Sequence, residues 1–283
     1  MTREDLDAPR QKFSRLLSLL KDAGSAVLAF SGGVDSSFLL RAMKRSGIRL
    51  LAVTGYSEAV PENAVRQAVS FAEQEGIDHI LIPTGEMQDE LFVSNPPDRC
   101  FFCKQDLYQK LREIAEAENY CYICDGSNAD DVHDYRPGRK AASLMGVRSP
   151  LAESGLSKQD IRLLSRALGL ETWDMPASPC LASRFPYGQR ITPELLKRVE
   201  NAEEFLKTLG MTTVRVRVHG DTARIEMPEQ DMSRLLESEF RHRVTAALRS
   251  LGFSFISLDL EGFSSGSMNR SLPREIRRSG NIS

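Results

Sequence analysis

The chain has 283 residues, 41% hydrophobic and 27% charged, with a formal net charge of −2. That length serves one large domain or two smaller ones, and the composition excludes global disorder. A near-neutral balance gives no electrostatic case for a polynucleotide partner, which needs a basic face. No apolar run approaches the ~20 residues of a membrane span, so no membrane partner is expected. The N-terminus, Met1-Thr-Arg-Glu-Asp-Leu-Asp7, is charged and lacks an apolar signal region. A cytoplasmic location is expected, in which the five cysteines are reactive, metal-bound or buried rather than disulfide-linked.

Residues 9–23 read as an amphipathic helix, with Phe13, Leu16, Leu17, Leu19 and Leu20 on or near one face. Strands are expected at 26–30, 49–54, 78–83 and 120–124, with helices between them at 36–46, 61–75 and 104–117. Short apolar strands alternating with helices predict an α/β fold with a doubly wound parallel sheet. In such sheets ligands sit beyond the carboxyl ends of the strands, where the winding reverses. Three segments follow strand ends and should share that crevice: 31–37, 55–57 and 125–128. Ser157-Lys-Gln-Asp160 resembles a capping box opening a helix to about 168. Trp173 to Gly188 is a long irregular segment with three prolines, of the kind that is functional when it is ordered. Thr192-Pro193 opens a helix to about 209, and 214–218 with 222–227 form a hairpin around His219-Gly-Asp221. A helix near 229–250 and a strand near 253–259 complete a small α+β unit. The chain thus divides into an α/β domain at 1–170, a cysteine loop at 171–192, a small α+β substrate or oligomerisation domain at 193–263 and a mobile tail at 264–283.

Ser31-Gly-Gly-Val-Asp-Ser-Ser37 carries the clearest chemistry. It lies between an apolar strand and a helix start, where free backbone N–H groups and the positive end of the helix dipole bind phosphate. Gly32 and Gly33 allow close approach, and Ser31, Ser36 and Ser37 add hydroxyl donors. Asp35 repels an anion directly, so Mg2+ or a water beside a polyphosphate is its expected partner. No Gly-Lys-Ser/Thr is present, which excludes a Walker A loop. SGGVDSS is similar to the PP-loop of ATP pyrophosphatases, enzymes that split ATP between its α and β phosphates and place AMP on a substrate oxygen.

Other candidates follow along the chain. Adenine is expected near 53–56, with Thr54 and Tyr56 as contacts. Asp125, Asn128 and Asp131 end a strand and could hold Mg2+ with Asp35, or serve as an Asx-turn and helix cap. Arg136 and Arg139 could neutralise a leaving pyrophosphate, or form a solvated basic loop. Cys100 and Cys103 form a C-x-x-C that follows a Pro-Pro turn and begins a helix, suited to one metal or a redox pair. Cys121 and Cys124 repeat the spacing inside a strand, which favours core packing. Cys180, beside Ser183 and Arg184, is a candidate thiolate because positive charge favours the ionised form. Arg215 and Arg217 share one face of a strand and suit a phosphate or carboxylate, with cross-strand pairing as the alternative. Glu203 and Glu226 are weaker candidates for an acidic or metal-binding cluster.

Taken together, SGGVDSS, NPPDRCFFCK, DGSNADD with DYRPGR, SPL, GLSKQDIR, PCLASRFPYGQRIT and VRVRVHGDTARIE resemble the LarE family, over about residues 10–260 and in one order. The resemblance implies ATP-dependent sulfur transfer in nickel-pincer nucleotide biosynthesis. Members adenylate a carboxylate of pyridinium-3,5-biscarboxylic acid mononucleotide, and sulfur replaces the activated oxygen. It also implies a homo-oligomer and, because Cys180 accompanies Cys100 and Cys103, the three-cysteine type that holds a [4Fe-4S] cluster and passes on sulfide from a donor. Single-cysteine members instead sacrifice the thiol. The competing readings are a PP-loop tRNA thiolase and a PP-loop ammonia-dependent ligase.

Overall fold

The computed structural model describes residues 6–133, 137–264 and 266–273. In chain order its elements are α1 (Asp7–Ala23), β1 (Ser25–Ala29), α2 (Val34–Ser46), β2 (Arg49–Tyr56), α3 (Glu62–Glu75), β3 (His79–Pro83), α4 (Glu90–Val93), α5 (Arg99–Ala117), β4 (Tyr122–Cys124), α6 (Pro137–Leu144), α7 (Pro150–Glu153), α8 (Lys158–Ala167), α9 (Pro193–Thr208), β5 (Arg215–His219), β6 (Thr222–Glu226), α10 (Glu229–Met232), α11 (Ser238–Ser250) and β7 (Phe255–Leu258). Contacts divide the chain into two units. The first holds residues up to Glu86 and Asp98–Ser178; the second holds Met87–Pro97 and Pro179–Arg277. The irregular segment after Trp173 is therefore shared between units, and Cys180 belongs to the second.

In the first unit the sheet is all parallel with order β3-β2-β1-β4. β1 is buried along its whole length, because both of its faces are covered. Alternation sends Ala26 and Leu28 into a core with Leu16, Phe38, Leu39, Met43, Phe71, Ile161 and Leu164. Val27 and Ala29 enter a second core with Tyr108, Leu111, Ala115 and Ala141. Hence α1, α2, α3 and α8 cover one face and α5 with α6 the other. The winding reverses between β1 and β4, which places the loops after those two strands at the switch point.

Local signals explain most boundaries. α8 starts at Ser157, whose side chain accepts from the Asp160 N–H while Asp160 accepts from the Ser157 N–H. Thr192 caps α9 ahead of Pro193. In the second unit β5 and β6 form an antiparallel hairpin and β7 joins β6 in parallel.

Two expectations need correction. The helix expected near 229–250 is broken into α10, a 3-10 turn at Ser233–Leu236 and α11. Glu237 is extended there (φ −66°, ψ 124°), and Arg234 donates to the Leu209 carbonyl and stacks on Phe240, anchoring the turn. α5 begins at Arg99 rather than 104, and the C-x-x-C opens this helix as expected. Within the tail, Ser267–Ser271 forms a 3-10 turn whose Ser267 hydroxyl donates to Glu226. No helix among the described residues is long and apolar enough to cross a membrane.

Candidate functional site

The phosphate loop begins where β1 ends. The Phe30 N–H donates to the Val53 carbonyl, and the chain turns through Gly32 at φ +68°. A Cβ at Gly32 would lie 2.9 Å from Ala68 Cα, so both conformation and space demand glycine. Ser31 Oγ and Ser36 Oγ are 3.0 Å apart, and Ser36 Oγ donates to the Gly33 carbonyl at 3.2 Å. The Ser37 hydroxyl is buried without a partner. These groups surround the first turn of α2, whose leading N–H groups have no helical acceptor.

Asp35 sits in that first turn, and the Lys158 ammonium reaches it from α8 at 2.6 Å. The other carboxylate oxygen, Asp35 Oδ1, is buried without a hydrogen-bond partner. Lys158 is placed in turn by its backbone N–H, which donates to Asp130 at 2.8 Å. The sequence carried a signal for Lys158, since it lies inside the capping box that was read for Ser157 and Asp160. The cap reading did not extend to its side chain.

Asp125 is 7% exposed, and its two oxygens are fully engaged. Oδ1 accepts from the Ser127 N–H (3.1 Å) and Ser149 Oγ (2.8 Å). Oδ2 accepts from Tyr108 OH (2.9 Å) and Ser127 Oγ (3.0 Å). A carboxylate has about four lone-pair sites, so Asp125 has none to offer Mg2+; Asp35 Oδ1 fits that ion instead. Asn128 and Asp131 take the Asx-turn role: the Asn128 N–H donates to Asp131 and Asn128 Oδ1 accepts from the Asp130 N–H. Arg139 donates to the Asp131 carbonyl, and Arg136 lies outside the described residues. Thr54 donates to the Phe30 carbonyl at 2.7 Å and meets His79 Nε2 at 2.8 Å, bracing the base of the loop. Tyr56 is 43% exposed at the end of β2.

Cys100 and Cys103, three residues apart on the first turn of α5, share a face; Cys100 is exposed and Cys103 half-buried. The second C-x-x-C is not a core pair. Cys121 precedes β4, is exposed and accepts from Ser25 Oγ, whereas Cys124 is buried, and burial pushes its thiol well above the ordinary value. The strand is shorter than expected, so only Cys124 enters the core.

In the second unit, Cys180 leads into a 3-10 turn at Leu181–Arg184. Arg184 is 1% exposed. Its guanidinium pairs with both oxygens of Glu203 (2.8 and 2.9 Å) and donates to the carbonyls of Pro179 and Cys180 and to Ser183 Oγ. Arg217 holds the Ser183 carbonyl at 2.8 Å and Glu226 at 2.8 Å. Arg224 also meets Glu226, and lies 3.5 Å from Asp259. Glu203 and Glu226 are therefore neutralised by arginines rather than gathered for a cation. Although burial opposes it, Arg184 with Arg215 and the Val216 N–H holds the Glu203 carboxyl below its usual range. Arg215 is pushed down to about 10, by burial first and then by Arg184; its guanidinium donates to the Val214 carbonyl and faces the Phe263 ring. Guanidinium groups outnumber the carboxylates among these residues, an electrostatic setting that favours an incoming anion.

Among the described residues no group of three or more His, Cys, Asp or Glu side chains is gathered to hold a metal ion. Of the three thiols expected to carry a [4Fe-4S] cluster, Cys100 and Cys103 belong to the first unit and Cys180 to the second.

No family model matches the chain. The pyridinium-3,5-bisthiocarboxylic acid mononucleotide synthase of Lactiplantibacillus plantarum is 39% identical over 267 residues, covering 93% of this chain and 95% of that protein. The chain belongs to the LarE family of sulfur transferases. An uncharacterized protein of Synechocystis is 41% identical over 264 residues, 93% of this chain and 98% of the relative. A probable tRNA sulfurtransferase of Methanothermobacter thermautotrophicus is 28% identical over 169 residues, 55% of this chain and 42% of the relative.

Proposed function

We propose that this protein uses ATP to adenylate a carboxylate of pyridinium-3,5-biscarboxylic acid mononucleotide and then replaces the activated oxygen with sulfur, giving a thiocarboxylate for nickel-pincer nucleotide biosynthesis in the cytoplasm. The observation that carries this reading is the near-full-length identity to a synthase of the bisthiocarboxylic acid product.

In this reading the N–H groups and hydroxyls of Ser31, Gly32, Gly33, Ser36 and Ser37 hold the ATP phosphates, and adenine lies near Thr54 and Tyr56. Asp35 Oδ1 would hold Mg2+, which would supply charge neutralisation of the polyphosphate. Lys158, which pairs with Asp35, offers its ammonium to a phosphate oxygen. A substrate carboxylate oxygen attacks the α-phosphorus, the bond to the β-phosphate oxygen breaks, and pyrophosphate leaves. Arg215 and Arg217 hold the phosphate or free carboxylate of the mononucleotide, while Arg184 and Ser183 fix the turn that presents Cys180.

The Cys180 thiolate then attacks the acyl carbon; a C–S bond forms and the C–O bond to AMP breaks. For release of sulfur, loss of the Cys180 Cα proton expels the thiocarboxylate from Cβ and leaves dehydroalanine. A [4Fe-4S] cluster on Cys100, Cys103 and Cys180, recharged by a sulfide donor, is the alternative source, and it gives the C-x-x-C of α5 a task. Iron and sulfide quantitation of anaerobically prepared protein separates the two sources. A homo-oligomeric assembly is part of the same reading.

The tRNA thiolase reading has support from the partial match to a tRNA sulfurtransferase, but a net charge of −2 disfavours a polynucleotide. An ammonia-dependent ligase would need no cysteine. With ATP, Mg2+ and the pyridinium dicarboxylate mononucleotide, wild-type protein should release pyrophosphate and Asp35→Ala should not. Undiminished release by the variant would remove Asp35 from the mechanism.

A further inference from the structure

Asp125 is a buried carboxylate that accepts from the neutral donors Tyr108, Ser127 and Ser149, the first of which comes from α5. Tyr108 lies in the middle of α5 and is 1% exposed. Its hydroxyl ends on Asp125 Oδ2 at 2.9 Å. Asp125 is the last residue before Gly126, and Gly126 lies directly against the phosphate loop. A Cβ built on Gly126 would be 3.0 Å from the Ser36 nitrogen and 3.1 Å from Ser36 Cα. The Ser36 amide belongs to the first turn of α2, where N–H groups are free for an anion. A small rotation of Asp125 therefore moves the Gly126 backbone toward or away from a phosphate donor.

Independent contacts fix the other side of the same loop. Ser149, just ahead of α7, donates to Asp125 Oδ1 at 2.8 Å, and the Asp125 N–H donates to the Arg148 carbonyl. Ser127 turns back onto both Asp125 oxygens. Tyr108 is the contribution from the α5 face of the sheet. Burial is the largest cause holding its phenol far above the ordinary value, with Asp125 adding to it, so the hydroxyl stays a donor across the working pH range. The Lys104 ammonium lies 5.4 Å from the Tyr108 ring one helical turn earlier, on the stretch of α5 that also carries Cys103.

We propose that Tyr108 is a positioning residue for the nucleotide phosphates: through Asp125 it holds Gly126 against the first turn of α2 and so sets the width of the phosphate cradle. The proposal rests on the ATP reading above. It assigns to α5, which contributes no group to the phosphate loop itself, the support of the strand end that closes the cradle.

Tyr108→Phe removes one oxygen and keeps the ring in the core. Calorimetric titration with ATP·Mg2+ should show Kd raised about tenfold, while the affinity for the pyridinium mononucleotide stays as in wild type. In pyrophosphate release, KM for ATP should rise and kcat at saturating ATP should stay within about twofold. Gly126→Ala drives a methyl group onto Ser36 without touching Tyr108 and should reproduce the ATP loss. In an Asp125→Asn background, Tyr108→Phe should add little further loss. ATP bound by Tyr108→Phe as tightly as by wild type overturns the proposal. So does an equal further loss in the Asp125→Asn background, because the hydroxyl would then act by another route. If Asp125→Asn does not fold, the Gly126→Ala titration decides: unchanged ATP affinity there overturns the proposal. Wild-type protein that retains no ATP overturns the nucleotide reading itself, and this proposal with it.

Discussion

Lys158 and Asp35 show how a half-exposed ion pair gains meaning from its surroundings. At 2.6 Å, with side chains 38% and 23% exposed, the pair contributes little to stability on its own. Its place at the head of α2 matters more, because an uncompensated Asp35 would repel a polyphosphate from the donors beside it. Lys158→Met should leave the melting temperature nearly unchanged and weaken ATP retention by about tenfold; retention equal to wild type in a filter-binding assay would make the pair structural only. His79 offers a test of a different kind. Burial lowers its pKa, with Glu73 opposing, so the folded state resists charging. Its neutral form is kept without penalty above the ordinary histidine value of about 6.5. Stability is lost as pH falls from there through the lower folded-state value, because the unfolded chain binds the proton more readily. Burial likewise lowers the pKa of His219, which acts in the same direction. Urea midpoints measured at pH 7.5 and 5.5 should fall with pH, and fall less in His79→Gln; an identical slope in the variant would remove His79 as a contributor.

At the scale of elements, the turn that presents Cys180 depends on Arg184. A guanidinium bonded to both oxygens of Glu203 and to two loop carbonyls is a brace, and its removal strands a carboxylate that is 3% exposed. Arg184→Ala should cost about 3–5 kcal/mol of unfolding free energy, against about 1 kcal/mol for loss of the α9 cap in Thr192→Ala. A denaturation series that ranks the two equally would contradict the bracing role. These elements also mark what the sequence could disclose. The phosphate loop was legible because its donors, glycines and helix start are contiguous, and the Ser157 cap because its partners lie three residues apart. The hairpin was legible in outline: register puts Arg217 opposite Arg224 and Arg215 opposite Glu226, and Arg217 reaches Glu226 diagonally at 2.8 Å. The partners of Asp125 were not legible because its donors, Tyr108 and Ser149, come from 17 and 24 residues away, a distance over which no local pattern speaks. The break at Glu237 was hidden for the same reason, since Arg234 is drawn to a carbonyl at the end of α9.

For the molecule as a whole, the two units divide the proposed chemistry. The first carries the phosphate loop, Asp35, Lys158 and the C-x-x-C of α5; the second carries Cys180 and the arginines that suit an anionic substrate. A single-turnover reaction under anaerobic conditions tests the central claim most directly. Wild-type protein and Cys180→Ala are each mixed with ATP, Mg2+ and the pyridinium dicarboxylate mononucleotide, and pyrophosphate, small-molecule product and intact protein mass are read together. Wild type should release pyrophosphate and AMP and yield the thiocarboxylate, whereas Cys180→Ala should release pyrophosphate but yield none. Thiocarboxylate formed by Cys180→Ala at the wild-type level, or no pyrophosphate from wild type, would contradict the adenylation and sulfur transfer assigned to this chain.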